Sequence, residues 1–384
     1  MGKKVLVAMS GGVDSSVAAL LLTEQGYEVV GAHMKLWDYV DVGGDIYKDG
    51  RCCTIDSITD CRLVCDKIGA PFYVLNMSGK FRETVIENFV SEYRAGRTPN
   101  PCVACNSDIK WNAFLQKARE VGCDYIATGH YSFIEQGDNG RWRIRKGIDA
   151  TRDQSYVLWG VTQEALAMTL MPLGGLLKKE VREIAEKHGL RTAKKPESRE
   201  ICFVSDNDYR RFLREWEEKH DLGQQTGEIV HEDGTVLGSH DGTTNFTVGQ
   251  RHGLGLKHPA ASPLYVQRID STSHRVIVGD NSSLYKSELV AERVNWIGMA
   301  PPHVSGFSSV GDGLGTRPAY PVVGEPFTAE AKIRYLHAPG PAEITCLPDS
   351  RVHIIFTDKQ RAITPGQSVV FYDGDVLLGG GIIV

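Results

Sequence analysis

Two stretches of this sequence carry residue types that do chemistry. The first is Met9-Ser10-Gly11-Gly12-Val13-Asp14-Ser15-Ser16. It lies between Val5 to Met9, an apolar run that reads as a buried strand, and Ser15 to Glu24, where Val17, Leu20 and Leu21 recur at helical spacing. At such a turn backbone N–H groups and the positive end of a helix converge, which makes an anion site. The glycines let the main chain approach phosphate oxygens, and the serines add hydroxyl donors. No lysine follows at the Gly-Lys-Ser/Thr position, so this is not a Walker loop. The second stretch is Thr98-Pro99-Asn100-Pro101-Cys102-Val103-Ala104-Cys105-Asn106, with two thiols three residues apart at the start of a predicted helix. An ordinary thiol is only about 3% thiolate at neutral pH, and a helix N-terminus raises that fraction. The spacing alone also suits a redox pair, half a zinc site or two buried cysteines. Cys202, in Pro196-Glu197-Ser198-Arg199-Glu200-Ile201-Cys202-Phe203, reads by itself as a core cysteine.

These residues need a frame, and the sequence supplies one. After the first strand and helix, Val29 to Met34 reads as strand, Ile55 to Ile68 as helix, Phe72 to Leu75 as strand, Phe81 to Tyr93 and Asn106 to Glu120 as helices, and Tyr125 to Thr128 as strand. Alternation of this kind predicts a parallel sheet covered by helices. Charged helices follow at about Leu177 to Lys187 and Asp208 to Lys219. From Gly227 the texture becomes all-β, with Leu264 to Ile269, Val276 to Val278, Thr328 to Ile333 and Val352 to Phe356 as strands. Asp373-Gly374 suits a tight hairpin turn with positive φ angles, and a small C-terminal barrel is expected. Ala300 to Pro321 reads as a long surface loop or a disordered insertion. No internal repeat is visible.

The 384 residues suffice for two or three domains, and 41% apolar with 24% charged residues excludes disorder as the main character. No apolar run reaches the length of a membrane span or a secretory leader, so a cytoplasmic, membrane-free protein is expected. Nine cysteines, an odd number, argue against a fully paired disulfide framework. Cys61 and Cys65 share a helix face with Ile58 and Ile68 and read as packing, as do Cys123 and Cys346; Cys52 and Cys53 are ambiguous. The net charge of −5 does not announce a nucleic-acid binder, yet charge is uneven. Arg141 to Arg152 holds five basic residues against one acid, and Lys178 to Arg199 eight against four, patches able to neutralise phosphates. The alternating signs of Lys178 to Lys187 equally suit a solvated helix face.

Ser-Gly-Gly-Val-Asp-Ser-Ser resembles the pyrophosphatase-type (PP) loop of enzymes that cleave ATP between its α- and β-phosphates and adenylate an oxygen. Together with Asn-Pro-Cys-x-x-Cys-Asn and Ile201-Cys202-Phe203, it closely resembles the bacterial tRNA-specific 2-thiouridylases, the MnmA family. Further matching stretches run nearly end to end: Ala127-Thr128-Gly129-His130-Tyr131, Asp153-Gln154-Ser155-Tyr156, Pro172-Leu173-Gly174, Val248 to Gly255, Lys332-Ile333-Arg334-Tyr335 and Pro365-Gly366-Gln367.

The resemblance implies an α/β PP-loop catalytic domain of the adenine nucleotide alpha hydrolase type at 1–215, a small central β-rich domain at 216–285 and a C-terminal, tRNA-holding β-barrel at 286–384. It implies a tRNA-uridine 2-sulfurtransferase. ATP would bind at Ala8, Met9, Ser10, Gly11, Gly12, Val13, Asp14 and Ser15, with Met34 and Gly129; on their own these last two read as a core methionine and a turn glycine. Mg²⁺ would balance the phosphates, through ligands the sequence does not reveal. Cys105 matches the nucleophile and Cys202 the persulfide carrier, charged by a cysteine desulfurase or sulfur-relay protein. Asn100, Pro101 and Cys102 match the stretch at the target base. His130, Arg152, Asp153, Gln154, Arg334, Tyr335 and Gln367 match tRNA contacts, with glutamate, glutamine and lysine tRNAs as implied substrates.

Some members carry Asp where this chain has Cys102, which leaves the acid/base assignment open. Arg152, Glu197, Arg199 and Asn245-Phe246 also depart from the common pattern. Cys102, Cys105 and Cys202 could instead hold three irons of a [4Fe-4S] cluster whose fourth iron binds a labile sulfide. Rival readings are a ligase or amidotransferase of the same loop type, which would leave Cys105 and Cys202 unexplained, a non-catalytic RNA-binding protein, and a thiolase acting at another tRNA position.

Overall fold

The computed structural model describes residues 2–38, 42–43, 55–196, 201–204, 206–256, 262–303 and 321–384. Cys52, Cys53, most of the expected loop at 300–321, Glu197 and Arg199 lie outside them.

Strand β1 (Lys4–Ala8) is apolar on both faces, as a central parallel strand must be. Its side chains alternate: Val5, Val7 and Met9 enter one core, and Leu6 and Ala8 enter another on the opposite face. Beside it lie β2 (Glu28–Lys35), β3 (Phe72–Asn76), β4 (Tyr125–Ala127) and, after a hairpin of β5 (Ser132–Gln136) and β6 (Trp142–Lys146), β7 (Thr169–Leu170). The sheet order is β3-β2-β1-β4-β7, with every pair parallel. From β1 the chain runs outward to one side through β2 and β3, then returns to β4 on the other. The topological switch therefore falls between β1 and β4, where open α/β sheets bind ligands at the strand C-termini.

The core containing Val5 and Val7 is closed by α1 (Val13–Glu24), α2 (Ile55–Ile68, with Cys61 and Cys65 buried as expected) and the later helix over Lys178–Lys187. The opposite core is built from two long helical runs. One, α3, spans 78–94 and the other, α4, spans 101–120. Helix α4 starts earlier than the periodicity predicts. Pro101 occupies its first turn and Asn100 caps it, accepting from the Val103 N–H at 3.4 Å. Cys105–Ala113 is wound as a π-helix, a local widening that sequence patterning does not encode. Numbering continues with α5 (Gln163–Ala167), α6 (Lys178–Lys187) and α7 (Tyr209–Lys219).

A four-stranded sheet follows, β8 (Gly227–His231), β9 (Val236–His240), β10 (Tyr265–Asp270) and β11 (Arg275–Gly279), around its own small core of Ile229, Phe246, Val266, Val276 and Val278. The last unit contains β12 (Tyr285–Trp296), β13 (Pro326–Lys332), β14 (Gly340–Cys346), β15 (Val352–Arg361), β16 (Ser368–Asp373) and β17 (Val376–Ile383). Their order, β12-β15-β14-β13-β16-β17, closes through a β12–β17 pairing into a six-stranded barrel. The tight turn before β17 is centred on Gly374-Asp375, since Asp373 pairs with Val376, and only Gly374 has positive φ (57°). One glycine at the first central position thus does what an Asp-Gly pair was expected to do.

The basic stretch Arg141 to Lys146 supplies the second strand of a hairpin, β6, paired with β5. Strand β6 pairs with β17 of the barrel, matching Arg145 to Val376 and Ile144 to Leu377. The first unit and the barrel consequently share one core: Ile144, Tyr156 and Trp159 sit in the same cluster as Val370, Tyr372 and Leu377.

Candidate functional site

The loop after β1 is folded by its own polar groups. The Ser15 hydroxyl accepts from the Ser10 N–H (3.2 Å), Ser10 Oγ accepts from the Gly12 N–H (3.3 Å), and the Ser16 hydroxyl donates to the Gly12 carbonyl (2.8 Å). No side chain caps the first turn of α1. Gly11 has φ +76°, and a Cβ there would lie 2.7 Å from the Ser57 carbonyl of α2, so only glycine fits. Gly129, in the loop after β4, is pressed equally hard against the other side: a Cβ would sit 2.8 Å from Asp14 C and Ser15 N. The structure thus brings Ser10 to Ser15 and Gly129 together at the switch point. Ala8, Met9, Val13 and Met34 turn buried side chains into the cores, so their backbone alone is available to a ligand there.

Asp14 is heavily engaged. Lys178 Nζ donates to both of its carboxylate oxygens (2.6 and 2.7 Å), and the Tyr131 hydroxyl donates to Oδ1 (2.7 Å). Neither partner was singled out from the sequence for this role. Lys178 is the one buried cation of its charged helix, on which Arg182, half-buried, reaches the Ala193 carbonyl instead. A second network on the same side joins buried Asp60 of α2 to Lys195 (2.7 Å) and Arg191 (3.3 Å).

Cys105 is buried in the large core, and Cys202, half-buried, packs against the same cluster; Cys102 on the first turn of α4 is exposed. The cysteines read as packing lie elsewhere in the fold: burial pushes the thiols of Cys61, Cys65 and Cys346 up to about 12 and raises that of Cys123. Among the described residues no three His, Cys, Asp or Glu side chains converge as a metal site. As placed, Cys102, Cys105 and Cys202 do not fit the ligation of a cluster, and Asp14 is held by Lys178 and Tyr131.

The residues expected to meet tRNA form the seam between the first unit and the barrel. Gln367 donates to the carbonyls of Thr98 (2.9 Å) and Pro99 (3.2 Å), immediately ahead of Asn100 and Cys102. Thr98 in turn donates its N–H to the Pro365 carbonyl (2.8 Å). The Tyr335 hydroxyl donates to the Asp153 carbonyl (3.0 Å), and Arg334 reaches the carbonyls of Arg361 and Ala362. Burial raises the pKa of the Tyr335 phenol, and the neighbouring Asp153 and Cys102 add to it. Asp153 accepts from the N–H groups of Gly147 and Ser155 (both 3.2 Å), while Gln154 and Tyr131 exchange bonds (3.1 and 3.2 Å). Arg152 lies half-buried beside them. His130 is buried, its Nδ1 2.7 Å from Thr128 Oγ1 and its Nε2 3.4 Å from Lys110 Nζ; burial, then Lys110, lowers its pKa well below the usual value, so the ring is neutral.

Much of the basic stretch is engaged by the protein's own groups. Arg141 donates to the carbonyls of Trp296 (2.9 Å) and Ile297 (3.2 Å), Arg143 is buried, Arg145 pairs with Glu135 (2.9 Å), and Lys146 donates to the Gly374 carbonyl (2.8 Å).

Residues 3–206 match the family model described as tRNA methyl transferase HUP domain, 218–280 the tRNA methyl transferase PRC-barrel domain, and 286–383 the aminomethyltransferase beta-barrel domain. A protein of Geotalea uraniireducens (strain Rf4) called tRNA-specific 2-thiouridylase MnmA is 49% identical over 382 residues, 99% of this chain and 95% of that one. A protein of the same designation from Clostridioides difficile (strain 630) is 44% identical over 384 residues, 100% of this chain and 98% of the other. Among solved structures, NMN synthetase from Francisella tularensis aligns at TM-score 0.33 with 15% identity, covering 58% of this chain and 78% of that one. A 4-thiouridine synthetase in complex with RNA and ATP aligns at TM-score 0.32 with 15% identity, covering 57% and 52%. Both likenesses are too distant to bear on the site.

Proposed function

The chain belongs to the tRNA-specific 2-thiouridylase (MnmA) family, and we propose that it uses ATP to replace the C2 oxygen of a tRNA wobble uridine by sulfur. The observation that carries the reading is the packing of Cys105 and Cys202, distant in sequence, against one core cluster. In this reading the chain divides into a catalytic domain at 1–215, a central domain at 216–285 and a tRNA-holding barrel at 286–384, and it works in the cytoplasm. No helix among the described residues is long and apolar enough to cross a membrane.

Uracil O2 cannot leave as oxide, so it must first become a better leaving group. ATP binds across the β1–β4 switch, its phosphates against Ser10 to Ser15 and its nucleoside toward Met34 and Gly129. Uracil O2 attacks the α-phosphorus, the bond to the β-phosphate breaks, and pyrophosphate departs. Mg²⁺ carried on the phosphates would neutralise charge on that leaving group.

An external donor, a cysteine desulfurase or a sulfur-relay protein, charges Cys202 as a persulfide. The terminal sulfur attacks C2 and AMP leaves with O2. The Cys105 thiolate then attacks Cys202 Sγ, breaking the S–S bond; the outer sulfur takes both electrons and stays on C2 as the thiocarbonyl. The product is 2-thiouridine with a Cys105–Cys202 disulfide, which an external thiol reductant opens for the next cycle.

The target base, turned out of an anticodon loop, meets Asn100, Pro101 and Cys102, and a loop base is cheaper to extrude than a paired one. His130, Arg152, Asp153, Gln154, Arg334, Tyr335 and Gln367 lie toward the tRNA, with glutamate, glutamine and lysine tRNAs as substrates.

The test is nucleoside mass spectrometry of unmodified tRNA incubated with ATP, Mg²⁺ and a persulfide source. Wild type should form 2-thiouridine at the wobble position. Cys105→Ser and Cys202→Ser should form none while still releasing pyrophosphate. Thiolation by either variant would overturn the two-cysteine transfer.

A further inference from the structure

The anion loop has no lysine of its own, and it places a carboxylate, Asp14, in the first turn of α1, where a polyanion must approach. We propose that Lys178 is the lysine of this phosphate site, delivered from α6 and held ready by Asp14; the proposal rests on the adenylating reading above.

Three observations support it. Lys178 Nζ lies 2.6 and 2.7 Å from the two Asp14 oxygens, and Tyr131 holds the same carboxylate from the other side while its ring lies 5.6 Å from the ammonium. The start of α6 is fixed on both sides of the lysine's stem. The Lys178 N–H donates to Asp149 Oδ2 (2.9 Å) and the Leu177 N–H to Glu180 Oε2 (2.7 Å). Finally, the lysine side chain is only 10% exposed while that of Asp14 is 31% exposed, so the pair faces outward through the carboxylate, at the mouth of the switch-point crevice.

The chemistry follows from the ammonium's donors. Three protons allow it to hold a carboxylate and a phosphate oxygen together, which an isolated salt bridge does not require. Before ATP arrives Asp14 keeps the Lys178 ammonium aimed. As pyrophosphate forms, the same cation stabilises the leaving group, the service a Walker lysine gives from within its own loop.

The experiment follows tRNA-dependent AMP formation as a function of ATP and of added inorganic pyrophosphate, with melting curves for each protein. Lys178→Met should raise both KM for ATP and the inhibition constant for pyrophosphate by about tenfold to a hundredfold, the range of a charged hydrogen bond. Lys178→Arg should recover most of this. Asp14→Asn should weaken pyrophosphate inhibition less than Lys178→Met does, because the amide oxygen still accepts from the ammonium, and the double variant should resemble Lys178→Met. If the two single variants weaken inhibition alike and the double variant restores it, the pair is only a structural bridge and the proposal falls. An unchanged inhibition constant in Lys178→Met overturns it as well. A wild type that forms no AMP would instead sink the adenylating reading, and calorimetric binding of pyrophosphate to the wild-type and Lys178→Met proteins would then judge the site alone.

Discussion

Substituting Gly129 by alanine should damage the phosphate loop from behind. A methyl carbon there would lie 2.8 Å from Asp14 C and Ser15 N and 3.0 Å from Asp14 Cβ, where ordinary contact begins at 3.4 Å. Two of these atoms are backbone in the first turn of α1, which is pinned by its own helix and by Lys178, so no side chain can rotate out of the way. Relief requires the loop after β4 and the start of α1 to separate by roughly 0.6 Å, an overpacking strain of about 1–3 kcal/mol. A misplacement near 1 Å costs on the order of a hundredfold in rate, so about tenfold is expected from this shift. The assay is tRNA-dependent pyrophosphate release against ATP concentration, paired with urea melts. Gly175→Ala serves as a control, because its methyl would meet only Phe133 at an ordinary 3.6 Å. Turnover and KM for ATP within twofold of wild type in Gly129→Ala would refute the reasoning.

Protonation offers an independent check. His130 is neutral in the fold because burial and Lys110 depress its pKa far below 6.5, whereas the unfolded chain takes up a proton near that value. Stability should therefore fall as pH drops below about 6.5, by up to about 1.4 kcal/mol per pH unit for one proton. Urea melts at successive pH values should show a flatter slope in His130→Gln, and a slope equal to wild type would remove His130 from the account. Gln367→Leu abandons the carbonyls of Thr98 and Pro99, so alkylation of Cys102 and Cys105, followed by peptide mass spectrometry, should quicken severalfold; unchanged rates would show that the barrel does not brace that segment. Arg141→Ala should cost about 1–3 kcal/mol through the Trp296 and Ile297 carbonyls, yet leave the salt dependence of tRNA binding as it was. A reduced salt slope would return Arg141 to the nucleic-acid face.

What could be read from the chain beforehand was local. Strand, glycine turn and helix follow one another within Lys4 to Glu24, so the loop at the switch point was legible, and Pro101 marked the helix that carries Cys105. Long-range polar pairing was not. Lys178 belongs to a helix whose alternating signs describe a solvated face, and no periodicity distinguishes the cation that is buried against Asp14. The hairpin at Ser132 to Lys146 was obscured for a related reason. Its strands alternate properly, but Arg143 is buried and Arg141, just ahead of the strand, finds carbonyls at the barrel, so a seam looked like a patch for phosphates. Gln367 and Tyr335 were marked by resemblance as RNA contacts, while their bonds to Thr98, Pro99 and Asp153 depend on how two distant parts of the chain meet.

That meeting has a consequence for how the protein is made. One edge of strand β6 pairs with β5 at once, but its other edge pairs with β17, and Ile144 shares its core cluster with residues of the last two strands. On a ribosome adding about 5–20 residues per second, roughly 230 residues must still be translated after Lys146 before Val376 emerges, a delay of about 10–50 s. Throughout that interval the nascent first unit carries an unpaired strand edge and uncovered apolar side chains, the kind of surface that recruits other chains. A truncation that removes the barrel would make the interval permanent. Such a fragment should be captured by chaperones or aggregate, and maturation of the enzyme should be gated by the appearance of its final strand.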